Sequence, residues 1–592
     1  MAYFLLGPSY PPPTTLLTSS VVGTWNDSLT ATLNQVLQSG HSDYKNFEAN
    51  TSSVSVTILS TEADEDVPLF DFHYSSPFLN HSANGTDHVT KNSIYRIGSI
   101  SKLITTYMLL VGYGWESWNH AVTRFVPELR AEASSEHKHP IEDVYWDRVT
   151  VGTLASHLSG IGRDYAMGDL ASQDLPWMEA GLPELPPEDI PHCGGNTSLL
   201  PCNRQEYFQG VIRRHPVFAP WTTPVYSNTG FRILGYVLEA MGGTSYSSLL
   251  QSKVLGPLGL TDTSATYPPK EGSWVIPAGD ENGFHVNYGD ETPTAGIYSS
   301  SDDLARLGRS ILLNKQLSAL DTRRWMKPTS HTSSPFLSVG SPWEIWRTRT
   351  QITSGRVVDI YTKSGSVGQY NSQLILMPDY GVAMSILVAG SSSGSAITIA
   401  TEMVLQSLIP VLENITIGEA CESLCGTYKT SQPDLNSSIT IAADAAGLYL
   451  DRWINRGVDI RAVAQAYAAQ TGSTPINSFR LQATNLQDWA PANHTAQVNR
   501  RVAYRVVFDT AIKASKGPPR IFDPNAHQWS ATDSIMYGEI GVDDFVVHLD
   551  ANGTAVMIEP RVVRDTLRRS ESGHCTGTNQ LVGRTLYVCK GQ

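Results

Sequence analysis

The chain has 592 residues, 41% of them hydrophobic and 17% charged, with a formal net charge of −14. That length exceeds one ordinary domain and implies two, and the apolar share supplies a sizeable core and excludes global disorder. The acidic balance, with no long basic run against it, excludes a nucleic-acid polyanion as the expected partner.

No run approaches the ~20 apolar residues that span a bilayer, so no membrane partner is expected. The first residues, MAYFLLGPSYPPP, lack a basic n-region and a full apolar stretch and do not make a complete signal peptide. Residues 1–28 read as an extended N-terminal segment, rich in Pro and Ser/Thr. LTATLNQVLQ (29–38) has helical spacing. VSVTILST (54–61) alternates like a strand, with PLFDFHYS (68–75) as its hairpin partner. SIYRIGSISKLITTYMLL (93–110) then opens a buried helix. Residues 165–205 are rich in Pro, Gly and acids, and form a long loop of the kind that serves as a lid. FRILGYVLEAMG (231–242) and SSLLQSKVLGPLG (247–259) read as helices. QLILMPDYGVAMSILV (373–388) reads as two strands joined at PDYG. AITIATEMVLQSLIPVLE (396–413) is a long amphipathic helix that closes a first domain over 29–414. Short alternating strands follow, so 415–592 is expected to be a β-rich second domain, barrel or sandwich.

Two features point outside the cell. Asn-x-Ser/Thr sequons occur at Asn26, Asn50, Asn80, Asn84, Asn196, Asn414, Asn436, Asn493 and Asn552. The six cysteines are even in number and locally clustered: Cys193 with Cys202, Cys421 with Cys425, Cys575 with Cys589. Six cysteines allow 15 connectivities, all open from sequence; the local pairing is the simplest. The expectation is a secreted glycoprotein whose signal peptide is missing from this sequence.

In a helix starting near Ser99, residues three apart share a face, so Lys102 lies beside Ser99 and not beside Ser101. A neutral lysine there can take the serine proton, and burial or nearby positive charge favours the neutral form. The helix N-terminus supplies N–H donors and a positive dipole end for an oxyanion. Ser99 is then the nucleophile, and Ser101 only lines the pocket. PVYSNTG (224–230) offers Tyr226, a general acid or base if cations lower its pKa, and Asn228, able to hold a lysine or a substrate carbonyl. YTKSGSVGQY (361–370) offers Lys363, a cation able to orient a substrate carboxylate, followed by Ser364 and by Gly365, which permits close backbone approach. The N–H of Ser366 completes an oxyanion hole with that of Ser99. A competing metal reading rests on His137, His139, Glu142 and Asp143 in EHKHPIED. It finds no further histidine cluster, so no metal or other cofactor is expected.

Each motif alone is common. Together, in this order, Ser-x-x-Lys, Tyr-Ser-Asn and Lys-Ser-Gly resemble the signature of serine β-lactamases and penicillin-binding proteins. The tyrosine form resembles the class C β-lactamases and their esterase, D-aminopeptidase and acyltransferase relatives. TVGTLASHLSGI (150–161, with His157, Ser159 and Gly160), VLGPLGLTDTSA (254–265) and TAGIYSSSDDLARLGRSILL (294–313) extend the likeness over roughly residues 30–413. The whole resembles secreted fungal β-lactamase-like proteins, with a β-domain after the catalytic one.

The resemblance implies an α/β (α+β) fold: an antiparallel sheet flanked by helices, an all-helical subregion and a smaller C-terminal β-rich domain. It implies an acyl-enzyme serine hydrolase acting on an ester, amide or lactam carbonyl of a small molecule or peptide. The alternatives are an acyltransferase in a secondary-metabolite pathway, using the same acyl-enzyme, and a non-catalytic binding protein. Two departures bear on substrate: the third motif is Lys-Ser-Gly rather than Lys-Thr-Gly or His-Thr-Gly, and the 165–205 insert, with Trp177, reshapes the pocket. Oligomeric state is not legible.

Overall fold

The computed structural model describes residues 5–590 apart from 63–66, 80–84, 135–138, 174–177, 195–198, 270, 350–356, 445, 471–474, 490–497, 510–528, 573 and 582–583. Asn80, Asn84, Asn196, Asn493, Trp177 and His137 lie outside the described residues, as do the side chains of Cys575 and Cys589.

Helix α1 spans Ser20–Ser39. It therefore takes in the last part of the segment expected to be extended up to residue 28. Val22, Trp25, Leu29, Leu33 and Val36 are buried at spacings of three and four, so the apolar stripe begins inside the Ser/Thr-rich region and carries the helix with it. Strands β1 (Ser52–Ser60) and β2 (Phe70–Tyr74) pair as the alternation foretold, from Val54 opposite Tyr74 to Ile58 opposite Phe70. Next come the helices α2 (Ile100–Tyr113), α3 (Asn228–Gly242) and α4 (Ser301–Leu312). The sheet resumes with β3 (Ser330–His331), β4 (Leu337–Val339), β5 (Glu344–Arg349), β6 (Val357–Val367), β7 (Tyr370–Met377) and β8 (Val382–Gly390). These make one antiparallel sheet of eight strands in the order β2-β1-β8-β7-β6-β5-β4-β3. β7 and β8 meet at a tight turn over Pro378–Tyr380, closed by Gly381 at φ +62°.

Helix α5 (Ser393–Leu424) packs with α1 on one sheet face, against Val56, Ile58, Ile375, Met384 and Ile386. α4 covers the opposite face, where Leu374, Leu376, Ala383 and Leu387 join the core of the helical lobe. β8, covered on both sides, is buried along its whole length. α5 runs for 32 residues and passes beyond the boundary expected near 415. It is also long and apolar enough, by length and composition, to cross a membrane. That corrects the expectation that no segment reaches such a length. Its buried face is shared between the sheet and the second domain, as suits a core helix.

The second domain is a closed barrel. Strands β9 (Gly426–Thr430), β10 (Ser438–Asp444), β11 (Gly447–Asn455), β12 (Ser478–Trp489), β13 (Arg500–Asp509), β14 (Asp544–Leu549), β15 (Ala555–Pro560) and β16 (Leu567–Ser572) each pair antiparallel with the next, and β16 pairs with β9. Closure removes the free edges that an open sheet would expose. Tyr428, Ile441, Leu450, Trp453, Phe479, Val506, Phe545 and Ile558 fill it. Ile417, Ala420 and Leu424 from the end of α5 join the same core. The true extended segment is short: Pro8 and Tyr10 bond Gln482 and Asp444 of the barrel, and Thr14 and Thr15 bond Glu419 of α5.

The described residues of 165–203 form a loop with two single-turn helices, Leu170–Ser172 and Pro187–Asp189, tied by a Cys193–Cys202 disulfide with Cα atoms 4.8 Å apart; a helix over Arg204–Val211 follows. The expected Cys421–Cys425 bridge does not form. Cys421 is disulfide-bonded elsewhere and Cys425 is a buried free thiol. Both sit on the last turn of α5, where the Cys425 N–H bonds the Cys421 carbonyl. Cβ atoms one turn apart are about 5–6 Å from each other, too far for the ~3.8 Å of a disulfide. Among the sequons, Asn552 is exposed in a turn, whereas Asn414 lies within α5. Asn26 spends its amide on the Leu69 carbonyl at 3.0 Å, a bond that a glycan there would break.

Candidate active site

Ser99 is the capping residue of α2, and Lys102 follows one turn on. Lys102 is fully buried, and its Nζ donates to Ser99 Oγ at 3.1 Å and to the Thr294 carbonyl at 2.9 Å. Tyr226 reaches in from the loop before α3, and its hydroxyl donates to the same Oγ at 2.5 Å. Ser101 does not line this site. It is buried on the far side, where its Oγ accepts from the Ile297 N–H.

Cations surround the Tyr226 ring: Lys102 Nζ at 4.8 Å, the Arg163 guanidinium at 4.8 Å and Lys363 Nζ at 5.5 Å from its centroid. Burial alone would raise the phenol's pKa, but Lys102 and Lys363 together outweigh it and hold Tyr226 below the ordinary tyrosine value. Burial also lowers Lys102, only partly countered by Tyr226. The serine thus faces two bases, each easier to deprotonate than in water. His157 stacks on Tyr226 with centroids 4.6 Å apart, and its Nδ1 accepts from the Ser227 N–H at 3.1 Å. Burial and then Lys102 push its pKa well down, so it is a neutral wedge that orients the tyrosine.

Asn228 does not hold Lys102. It is the first residue of α3, and its Nδ2 donates to Asp164 Oδ1 at 2.6 Å. Asp164 also pairs with Arg163 at 3.3 Å.

The third motif lies at the end of β6. β5 pairs with β6 only from Val357 to Thr362, so Lys363 to Val367 have β7 on one side and, among the described residues, no strand on the other. The Ser364 N–H points to that open side, where it donates to Glu344 at 2.9 Å. N–H directions alternate along a strand, so the Ser366 N–H points the same way. β6 passes very close to the head of α2. A Cβ on Gly365 would fall 2.1 Å from the Ile97 carbonyl and 3.0 Å from the Ser99 N, and one on Gly98, at φ +48°, would fall 2.7 Å from the Ser366 N. Lys363 does not face an empty carboxylate site. Its Nζ is bound to Glu344 at 2.5 Å, and Ser364 Oγ donates to the same carboxylate at 3.0 Å.

Ser99, Tyr226 and Lys363 open into a cavity of about 1330 Å³ that continues past the end of β6 to α5, with Trp346, Leu405, Ile409 and Pro410 on its walls. Sequence reasoning missed Glu344, Asp164 and Arg163. Glu344 lies 19 residues before Lys363, and only strand register brings them together. Thr294 and His157 stood in segments noted for their likeness, without an assigned role. His139 of the competing metal reading is exposed and its N–H bonds Asp143.

The family description "Beta-lactamase" matches residues 74–407, and "Beta-lactamase-like-like, C-terminal domain" matches 416–571. A β-lactamase-like protein of Arthroderma benhamiae is 32% identical over 70% of this chain and 67% of its own length. A probable hydrolase of a Phoma species is 25% identical over 75% of this chain and 72% of its own. Among solved structures, a class C β-lactamase aligns with a TM-score of 0.45 at 18% identity, covering 64% of this chain and 96% of its own. The family match spans more than half of the sequence and takes in all three motifs, so the chain belongs to the β-lactamase family.

Proposed function

We propose that the protein is a serine hydrolase that works through an acyl-enzyme on Ser99. The observation that carries this is the contact of one serine Oγ with both a tyrosine oxygen at 2.5 Å and the Nζ of a buried lysine at 3.1 Å, a pair that serves as base once one of the two has lost its proton. As Oγ attacks an acyl carbonyl, its proton passes to the Tyr226–Lys102 pair. The N–H groups of Ser99 and Ser366 receive the oxyanion. The carbon–leaving-group bond then breaks, and Tyr226 returns the proton to the departing oxygen or nitrogen. Water repeats the sequence in reverse roles, so that the acid leaves and Ser99 regains its proton.

The test is intact mass after incubation with a fluorophosphonate. Wild type is expected to gain one adduct and Ser99→Ala none. Turnover by Ser99→Ala at the wild-type rate would remove Ser99 from the mechanism.

Secretion is part of the same proposal. The Cys193–Cys202 bridge and the bonded Cys421 suit an oxidising compartment. A mass decrease on endoglycosidase treatment of protein from its native host checks it.

A further inference from the structure

In a site that accepts a substrate carboxylate, a lysine and a neighbouring hydroxyl must be free to bind it. Here both belong to Glu344. Its carboxylate takes the Lys363 ammonium, the Ser364 hydroxyl and the Ser364 N–H, which are three donors on one group. Lys363 is 1% exposed, so its charge faces Glu344 rather than solvent. The other cations on the cavity wall also have carboxylate partners, in pairs more exposed to solvent than that of Lys363. Arg163 pairs with Asp164 at 3.3 Å and Arg347 with Asp359 at 2.9 Å. Among the described residues lining the cavity, each arginine or lysine carries a carboxylate partner.

A substrate carboxylate entering here would displace Glu344 from a buried ammonium or sit against it as a like charge. The first takes the partner from a buried ammonium, and the second sets like charges side by side; both cost free energy. We infer that Glu344 acts as a built-in carboxylate that occupies the anion site beside the nucleophile, so that the protein selects acyl substrates with no carboxylate near the scissile carbonyl. This rests on the Ser99 acyl-enzyme proposed above. Glu344 is a specificity-determining residue here and takes no part in bond making.

The experiment uses the full chain and two aryl phenylacetates alike except for one ring substituent, a 3-carboxylate or a 3-carboxamide. kcat/KM is measured for each and divided by the ester's own hydroxide rate. Wild type is expected to favour the carboxamide by about tenfold or more, and Glu344→Gln to shrink that ratio by a similar factor because the site loses its internal anion. Equal rates on the two esters, or preference for the carboxylate, would overturn the inference. So would an unchanged ratio in both Glu344→Gln and Glu344→Ala. The fluorophosphonate adduct separates the two levels. An adduct together with indifference to charge refutes the specificity alone, and no Ser99-dependent adduct refutes both.

Discussion

At the scale of single residues, Tyr226 and Gly365 allow sharp tests. Tyr226 is held down by Lys102 and Lys363 against the effect of its own burial. If it must lose a proton to act, kcat/KM for a neutral ester rises with pH through the pKa that Tyr226 shares with Lys102. Lys363→Met removes one of the two cations, raises that pKa and is expected to move the rising limb up by roughly one pH unit. An unmoved limb would take the base role from Tyr226. Gly365→Ala places a Cβ 2.1 Å from the Ile97 carbonyl. It must push β6 away from α2 at a cost of about 1–3 kcal/mol. A lower Tm and a loss of kcat are expected together, because the same movement separates the Ser366 N–H from Ser99. The placement of Ser99 beside Lys102 and the close approach at Gly365 could be framed from sequence because they depend on helix and strand spacing within one motif. Asn228 and Lys363 also stood in motifs, but their partners, Asp164 and Glu344, come from distant chain segments brought together by loop path and strand register. No local pattern contains them.

At the scale of elements, legibility followed periodicity. The hairpins and the helices over 231–242 and 247–259 carried clear patterns and appear in the structure, the latter as Tyr246–Leu250 running through a π turn into Gly256–Leu258. α5 was read short because its pattern changes midway. Its first part packs on a sheet and its last on a barrel, so the buried stripe does not keep one direction. The 165–205 loop has no period, and its order depends on tertiary contacts. Its disulfide closes a span of nine residues, and the Cys202 carbonyl accepts from Arg232, which pairs with the partly buried Glu291 at 2.9 Å. Glu291 in turn accepts from Thr294, whose carbonyl holds Lys102. Replacing both Cys193 and Cys202 with Ser is therefore expected to cost about 2–3 kcal/mol in chemical denaturation. It should also slow fluorophosphonate labelling of Ser99, since the chain of contacts from Cys202 ends on Lys102, which bonds Ser99. Full labelling speed in a destabilised variant would confine the disulfide to stability.

At the scale of the whole molecule, two lobes are joined by shared structure rather than by a linker. α5 belongs to both cores: Ile399, Val404 and Leu408 pack beneath the sheet, and Ile417, Ala420 and Leu424 pack into the barrel. Tyr380, in the turn between β7 and β8, donates to the buried Glu413 on the same helix. The N-terminal strap runs from the barrel, at Tyr10 and Pro8, to Glu419 and then into α1 beside the sheet. Separating the lobes would expose the end of α5 on one side and open the end of the barrel on the other, and each buried Ile or Leu exposed costs about 1.5–3 kcal/mol. The intact protein is thus expected to unfold in one cooperative transition, with the calorimetric and van't Hoff enthalpies equal. A chain cut at residue 415 is expected to be insoluble or molten although it retains Ser99, Lys102, Tyr226 and Lys363. Two resolved transitions, or a soluble 1–415 fragment that still forms the Ser99 adduct, would show that the barrel is an appendage and that the helix merely passes between independent domains.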